Sequence, residues 1–197
     1  MSIKGKLKYF VRKIKYGVRC DSESYVRYLR NKGMTIGRRT IIYEPRFTLI
    51  DETRPFAVII GDDVQITRDV TILTHGYDWS VLKGKYGTVL GSFGRVKIGN
   101  NVFIGMNTTI LKGVNIGNNV VIGACSLVNK DIPDDCVAVG NPAKVIMTIE
   151  EFYKKRLNVQ LEEAVNLALL YKNKFGVWPD ESKLSEFFLA LCRRKKS

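Results

Sequence analysis

Histidine is almost missing from this chain of 197 residues, since His75 is the only one. A zinc centre built on three imidazoles is therefore excluded. The four cysteines, Cys20, Cys125, Cys136 and Cys192, are scattered without a CxxC pair. That spacing offers neither a zinc knuckle nor a disulfide framework, and buried free thiols are the expectation. No run approaches the roughly 18 consecutive apolar residues that cross a bilayer, and the first residues lack the apolar core of a secretory signal. A cytoplasmic location is expected, with a peripheral position at the inner membrane face as its variant. Acidic residues are absent from Met1 to Cys20, a stretch that carries seven Lys and Arg, and the chain closes on the basic run Arg193 to Lys196. These ends supply much of a formal net charge of +13. Without zinc-finger spacing, an RNP sequence or a basic zipper, no nucleic acid is expected as partner. An anionic membrane, an acidic substrate or an anionic cofactor remain.

What is present in abundance is a period of six. Aliphatic residues recur at Ile98, Ile104, Ile110, Ile116, Ile122 and Val128, and earlier at Ile60, Ile66 and Ile72, with Ile36 and Ile42 in the earlier phase. Glycine follows many of them, and IGNN occurs twice, at Ile98–Asn101 and Ile116–Asn119. Four positions after the aliphatic residue stands a small or β-branched one: Thr40, Val64, Val70, Val102, Thr108, Val114, Val120 or Ser126. A period of six fits neither a helix nor simple alternation. It fits a short strand and a tight corner, with two inward positions per unit, the corner served by Gly or Asn. Three units close a triangular coil of about 18 residues, and stacked coils bury a continuous aliphatic column.

The two runs are out of register, so something is inserted between Ile72 and Ile98. Residues 74–96, rich in Gly, aromatics and Lys, read as a loop extruded from the coil wall, where function concentrates on rigid scaffolds. Tyr43–Ala57 reads as an irregular stretch interrupting the early coils. Residues 1–32 form a basic helical segment, with Ile3, Leu7, Val11, Ile14 and Val18 as one apolar stripe. The stripe suits a helix lying in a membrane interface and equally one packed on the protein or a neighbouring subunit. Residues 33–148 make the β-helix domain and 149–197 a helical extension: a helix from Ile149 to Lys174 with Leu161, Val165, Ala168 and Leu169 on one face, then a last helix over Asp180–Leu191. Both stripes are expected to pack on the solenoid or a neighbour.

His75 opens the extruded segment in THGYDW. An isolated histidine is usually structural, yet imidazole is suited to take a proton from a hydroxyl attacking a thioester. The run VKIGNNVFIGMNTTILKGVNIGNNVVIGACSLVNKDIPDDCVAVGNPAKVI, Val96 to Ile146, resembles the hexapeptide-repeat acetyltransferases, in particular the galactoside, maltose, xenobiotic and surface-polysaccharide O-acetyltransferases. The closing signature VNKDIP then AVGNPAKVI is the specific part; the terminal helices lie outside the likeness.

The resemblance implies a mainly β fold, a left-handed parallel β-helix with flanking helices, assembled as a homotrimer with active sites in the clefts between subunits. It implies acetyl-CoA as cosubstrate, no metal, and a sugar-like acceptor attacking the thioester directly with His75 as general base. It carries cofactor contacts onto Gly105 and Met106 beside the thioester and pantetheine, Ala124 beneath the pantetheine, Asn129 and Lys130 before the DIP turn, and Lys144 near the nucleotide phosphates. Phe103 stands where many relatives have Trp, so an indole N–H is lost and apolar packing remains. Tyr77, Asp78 and Trp79 are the acceptor-side candidates: Trp79 suits stacking on a sugar ring or anchoring the loop, and Asp78 suits binding a hydroxyl or orienting the imidazole. Gamma-class carbonic anhydrases share the solenoid but require three histidines. Serine acetyltransferases carry a large helical domain ahead of the repeats, which some thirty residues cannot supply. A streptogramin-type or xenobiotic acetyltransferase, a sugar N-acetyltransferase, and a non-catalytic scaffold or membrane-surface module stay as the alternatives.

Overall fold

The computed structural model describes residues 3–187. Residues up to Ile149 form one compact unit and those from Glu150 onward a second. The first begins with α1 (Ile3–Tyr16), a 3-10 turn (Gly17–Cys20) and α2 (Ser22–Asn31). The strands follow: β1 (Thr35–Ile36), β2 (Ile41–Ile42), β3 (Leu49–Ile50), β4 (Val58–Ile60), β5 (Gln65–Ile66), β6 (Thr71–Ile72) and β7 (His75–Gly76). After α3 (Trp79–Tyr86) come β8 (Ser92–Phe93), β9 (Val96–Ile98), β10 (Val102–Ile104), β11 (Thr109–Ile110), β12 (Asn115–Ile116), β13 (Val120–Ile122), β14 (Leu127–Val128), β15 (Cys136–Val139) and β16 (Lys144–Thr148). The long α4 spans Ile149–Phe175.

The strands stack into the three faces of a parallel β-helix. One face is β1-β4-β9-β12, the next is β2-β5-β10-β13-β15 with β16 added antiparallel, and the third is β3-β6-β11-β14. Register aligns the aliphatic residues into three columns: Ile36–Ile60–Ile98–Ile116, Ile42–Ile66–Ile104–Ile122 and Ile50–Ile72–Ile110–Val128. All are buried, and so are the second inward positions from Thr40 to Ser126. The hydroxyls among these inward positions are paired: Thr40 donates to the Gly61 carbonyl (2.9 Å), while Thr108 (3.2 Å) and Ser126 (2.7 Å) donate to that of Gly123.

The repeated Asn pairs build one corner of the prism. Arg39, Asp63, Asn101, Asn119 and Asp135 all adopt left-handed φ between 54° and 56°, a conformation that Asn and Asp tolerate better than most residues. Their neighbours form a rail: the backbone N–H groups of Asp62, Asn100 and Asn118 donate to the side chains of Asn100 (2.8 Å), Asn118 (2.9 Å) and Asp134 (2.6 Å) in the next coil. A parallel rail joins Asn101 to Asn119 (2.9 Å) and Asn119 to Asp135 (2.8 Å).

Both ends of the stack are covered. At the first coil, Asp21 caps α2 by accepting from the Ser24 N–H (2.8 Å), and α2 buries Tyr25, Val26 and Leu29 against the core. Burial holds the Tyr25 phenol up to about 12. The Ser22 hydroxyl accepts from the Ile42 N–H (2.9 Å), which β2 at the sheet edge would otherwise leave open. At the last coil the antiparallel β16 closes the second face.

Several sequence expectations need correction. Tyr43–Ala57 is not simply irregular: it contains β3, and Ile50 takes its place in the third column. The extruded segment is not a plain loop, since β7 and β8 pair as a hairpin enclosing α3, which Gly87 ends with φ 73°. Because α3 buries no residue, it has no apolar stripe to announce it. Cys125 is not buried but exposed at a left-handed corner with φ 59°. Leu7, Val11 and Ile14 in α1, and Leu161, Val165 and Leu169 in α4, are exposed in the single chain. In place of the start of a helix at Asp180 stands a 3-10 turn, Glu181–Lys183. Helix resumes at Ser185 and is described to Phe187; the rest of that expected helix, residues 188–191, and the closing basic run lie outside the described residues.

Candidate active site

The corner after the third face is where the chain departs. Ile50 and Ile72 point inward, one coil apart, and each is followed by an exit from the strand. Asp51 therefore comes to rest beside Thr74 and His75, although 24 positions separate it from the histidine.

Asp51 is buried, with 4% of its side chain exposed, yet it is fully provided with donors. It accepts from the Thr53 N–H (3.0 Å) and hydroxyl (2.7 Å), from the Thr74 N–H (3.1 Å) and hydroxyl, and from His75 Nδ1 (2.6 Å). Burial alone would raise this carboxyl. The hydrogen bonds from Thr53, Thr74 and His75 outweigh it and hold the group well below the usual carboxylate range. An ionised carboxylate can only accept, so Nδ1 is the donor of this pair, and in the neutral imidazole the lone pair is then on Nε2.

His75 faces a cavity of about 500 Å³, lined also by Leu49, Leu73, Gly76 and Tyr77. Tyr77 meets the imidazole edge-on, with ring centroids 5.0 Å apart, and Trp79 lies 6.4 Å beyond Tyr77. Asp78 does not orient the imidazole. Its carboxylate lies against the Cα of Gly76, where a Cβ would collide with it. Asp51 does that work instead, and sequence reasoning missed it because nothing in the spacing links residue 51 to residue 75. Arg19 and Glu52 also line the cavity and were missed. Arg19 pairs with Glu52 (3.0 Å) and donates to the Pro45 and Thr48 carbonyls (2.8 and 2.9 Å), while the Tyr28 hydroxyl donates to Glu52 (2.7 Å).

The residues assigned to the cofactor lie on later coils of the prism. Phe103 is exposed on the second face, and Gly105, Met106 and Ala124 stack one coil apart at the corner between the second and third faces. Asn129 and Lys130 follow the third face, and Lys144 opens β16; all three are exposed. None of these lines the His75 cavity. A Cβ on Gly105 would lie 2.5 Å from the Ala124 nitrogen, so packing alone demands glycine there. Gly105→Ala is expected to cost roughly 1–3 kcal/mol through forced separation of the coils, read as a lowered midpoint in thermal denaturation; an unchanged midpoint would leave only a ligand to explain the glycine.

Among the described residues, no three His, Cys, Asp or Glu side chains converge to hold a metal ion, and no helix is long and apolar enough to cross a membrane.

Known proteins share this architecture. The family described as bacterial transferase hexapeptide (six repeats) matches residues 95–130. Protein CapG of Staphylococcus aureus is 37% identical over 161 residues, 75% of this chain and 90% of that protein. The galactoside O-acetyltransferase of Escherichia coli K12 is 43% identical over 104 residues, 53% of this chain and 49% of that enzyme. The crystal structure of a maltose O-acetyltransferase from Clostridium difficile 630 superposes with a TM-score of 0.51 at 30% identity, covering 64% of this chain and 75% of that one. The repeat that fills these three faces and the near-full-length likeness to CapG have one reading: the chain belongs to the bacterial hexapeptide-repeat transferases and is an acyltransferase of that family.

Proposed function

We propose that the protein is a cytoplasmic, acetyl-CoA-dependent O-acetyltransferase acting on a sugar or a cell-surface polysaccharide precursor, with His75 as general base. The observation that carries this reading is the Asp51–His75 pair, a buried carboxylate on Nδ1 of an imidazole that lines a cavity. Nε2 takes the proton of the acceptor hydroxyl as its oxygen attacks the thioester carbonyl. The new C–O bond forms, the C–S bond breaks, and the departing thiolate is protonated in turn, with no covalent enzyme intermediate. Tyr77 beside the imidazole, and Trp79 beyond Tyr77, offer aromatic faces of the kind that stack on sugar rings. The sugar substrates in the names of the maltose and galactoside enzymes support the acceptor class.

The base follows the third face, whereas Gly105, Met106 and Ala124 lie at the corner before it and Asn129 and Lys130 follow the third face two coils further on; this spread over two corners supports a site shared between neighbouring subunits of a homotrimer. Gly105, Met106, Ala124, Asn129, Lys130 and Lys144 of one subunit would then hold acetyl-CoA for the His75 of the next, with Lys144 supplying charge to the phosphates. The test is thiol release from acetyl-CoA over a panel of mono-, oligo- and nucleotide-linked sugars, together with light scattering at micromolar concentration. Acceptor-dependent release from a particle of three chains is the expected result. Failure of every sugar would remove the acceptor class, and a monomeric mass would remove the shared site.

A further inference from the structure

The first helix is mounted the wrong way round for a protein that keeps its apolar surface to itself. Leu7, Phe10, Val11 and Ile14 fall within one sector of α1 about 100° wide when projected at helical spacing. That sector faces outward, with Leu7 64%, Phe10 60% and Ile14 72% exposed. The contacts that hold α1 come from its other side. Tyr9 reaches Ser24 and Asp21 at the start of α2, Arg12 donates to the Cys20 carbonyl (2.7 Å), and the Arg46 guanidinium covers the Tyr16 ring (4.6 Å). Lys13 and Lys15 project on either border of the apolar sector, and no acid precedes Asp21.

We infer that α1 is a docking surface for an anionic lipid bilayer, lying in the interface with its apolar sector inserted and its bordering lysines among the headgroups. An apolar strip edged by cations is the arrangement that binds such surfaces, where both buried area and charge contribute. Pairing of α1 with the same helix of a second copy is disfavoured, because each brings seven basic residues and no acid in its first twenty positions. The inference does not rest on the chemistry at His75. A helix fixed by its polar side needs no rearrangement to bind, so the unliganded protein is already in the binding form.

The test is flotation of the full-length protein with vesicles of phosphatidylcholine alone or with roughly one-third phosphatidylglycerol. Wild type is expected to float with the anionic vesicles and to be released as salt is raised. Leu7→Glu/Ile14→Glu and, separately, Lys13→Glu/Lys15→Glu are each expected to weaken binding by about tenfold or more. Both pairs alter outward-facing side chains, so the particle mass should not change. Absence of wild-type flotation, or flotation of either double variant at wild-type level, would overturn the inference. Loss of the wild-type mass in the Leu7→Glu/Ile14→Glu variant would overturn it too, by showing that the sector is buried between subunits.

Discussion

Replacing His75 by alanine is expected to lower kcat by about 10² to 10⁴ while leaving the KM for acetyl-CoA nearly unchanged. The expectation follows from separation on the molecule. His75 stands where the chain leaves the third face, whereas Gly105, Met106 and Ala124 lie at the corner before that face. A group that moves a proton in the transition state, and does not grip the cofactor, should appear in kcat and not in cofactor affinity. Steady-state kinetics at saturating acceptor separates the two parameters. Near-full acetyl transfer by His75→Ala would end the assignment and leave the His75 cavity as an acceptor pocket only.

The second large effect is expected at Asp51, a positioning residue that touches His75 and not the reacting atoms. Asp51→Asn keeps the shape but removes the charge and allows the amide to offer hydrogens where the native group only accepts. His75 would then lose its fixed tautomer, and kcat is expected to fall by about 10² with the KM for acetyl-CoA unaltered. A purely structural role would instead erode both parameters together with the particle mass.

Acid titration of stability supplies an independent reading of the same residue. The folded Asp51 carboxyl lies below its ordinary value near 3.9, so the unfolded chain binds the proton more readily. Its contribution is therefore fully present above about pH 5 and is lost progressively as pH falls toward the depressed folded value. The stability difference between wild type and Asp51→Asn should shrink on acidification through about pH 4, in denaturant melts at matched ionic strength. A difference that stayed constant from neutral pH to pH 3 would mean that the carboxylate is not held ionised by its hydrogen bonds.

The solenoid was legible because its core repeats. Each inward position is specified by the same residue type every six places, and both inward sets, Ile36 to Val128 and Thr40 to Ser126, are buried as read. The insertion between Ile72 and Ile98 was legible as a break in register, but α3 within it was not, since a helix that buries nothing leaves no period. At the site, His75 could be found because it has no competitor. Asp51 could not: it belongs to another coil, and only the stacking of Ile50 on Ile72 brings it to the imidazole. Asp78, nearer in sequence, turned out to lean on Gly76. Arg19 and Glu52 were hidden for the same reason as Asp51, since their meeting depends on how the 3-10 turn lies against the corner that follows β3.

The coverings at the two ends of the stack bear on why it does not go on growing. A coil that satisfies its predecessor's backbone groups presents an identical set to whatever comes next, so the addition of coils has no intrinsic limit, and the bare end of a β-helix is a template of the kind that seeds fibres. In this chain α2 fills the bore at one end with Tyr25 and Leu29, while Ser22 occupies a backbone donor of β2 that an incoming strand would use. At the other end β16 runs against the grain of the sheet and breaks the parallel pattern. The helix before the first repeat and the reversed strand after the last thus act as terminators, setting the length of a structure whose repeating chemistry contains no instruction to stop.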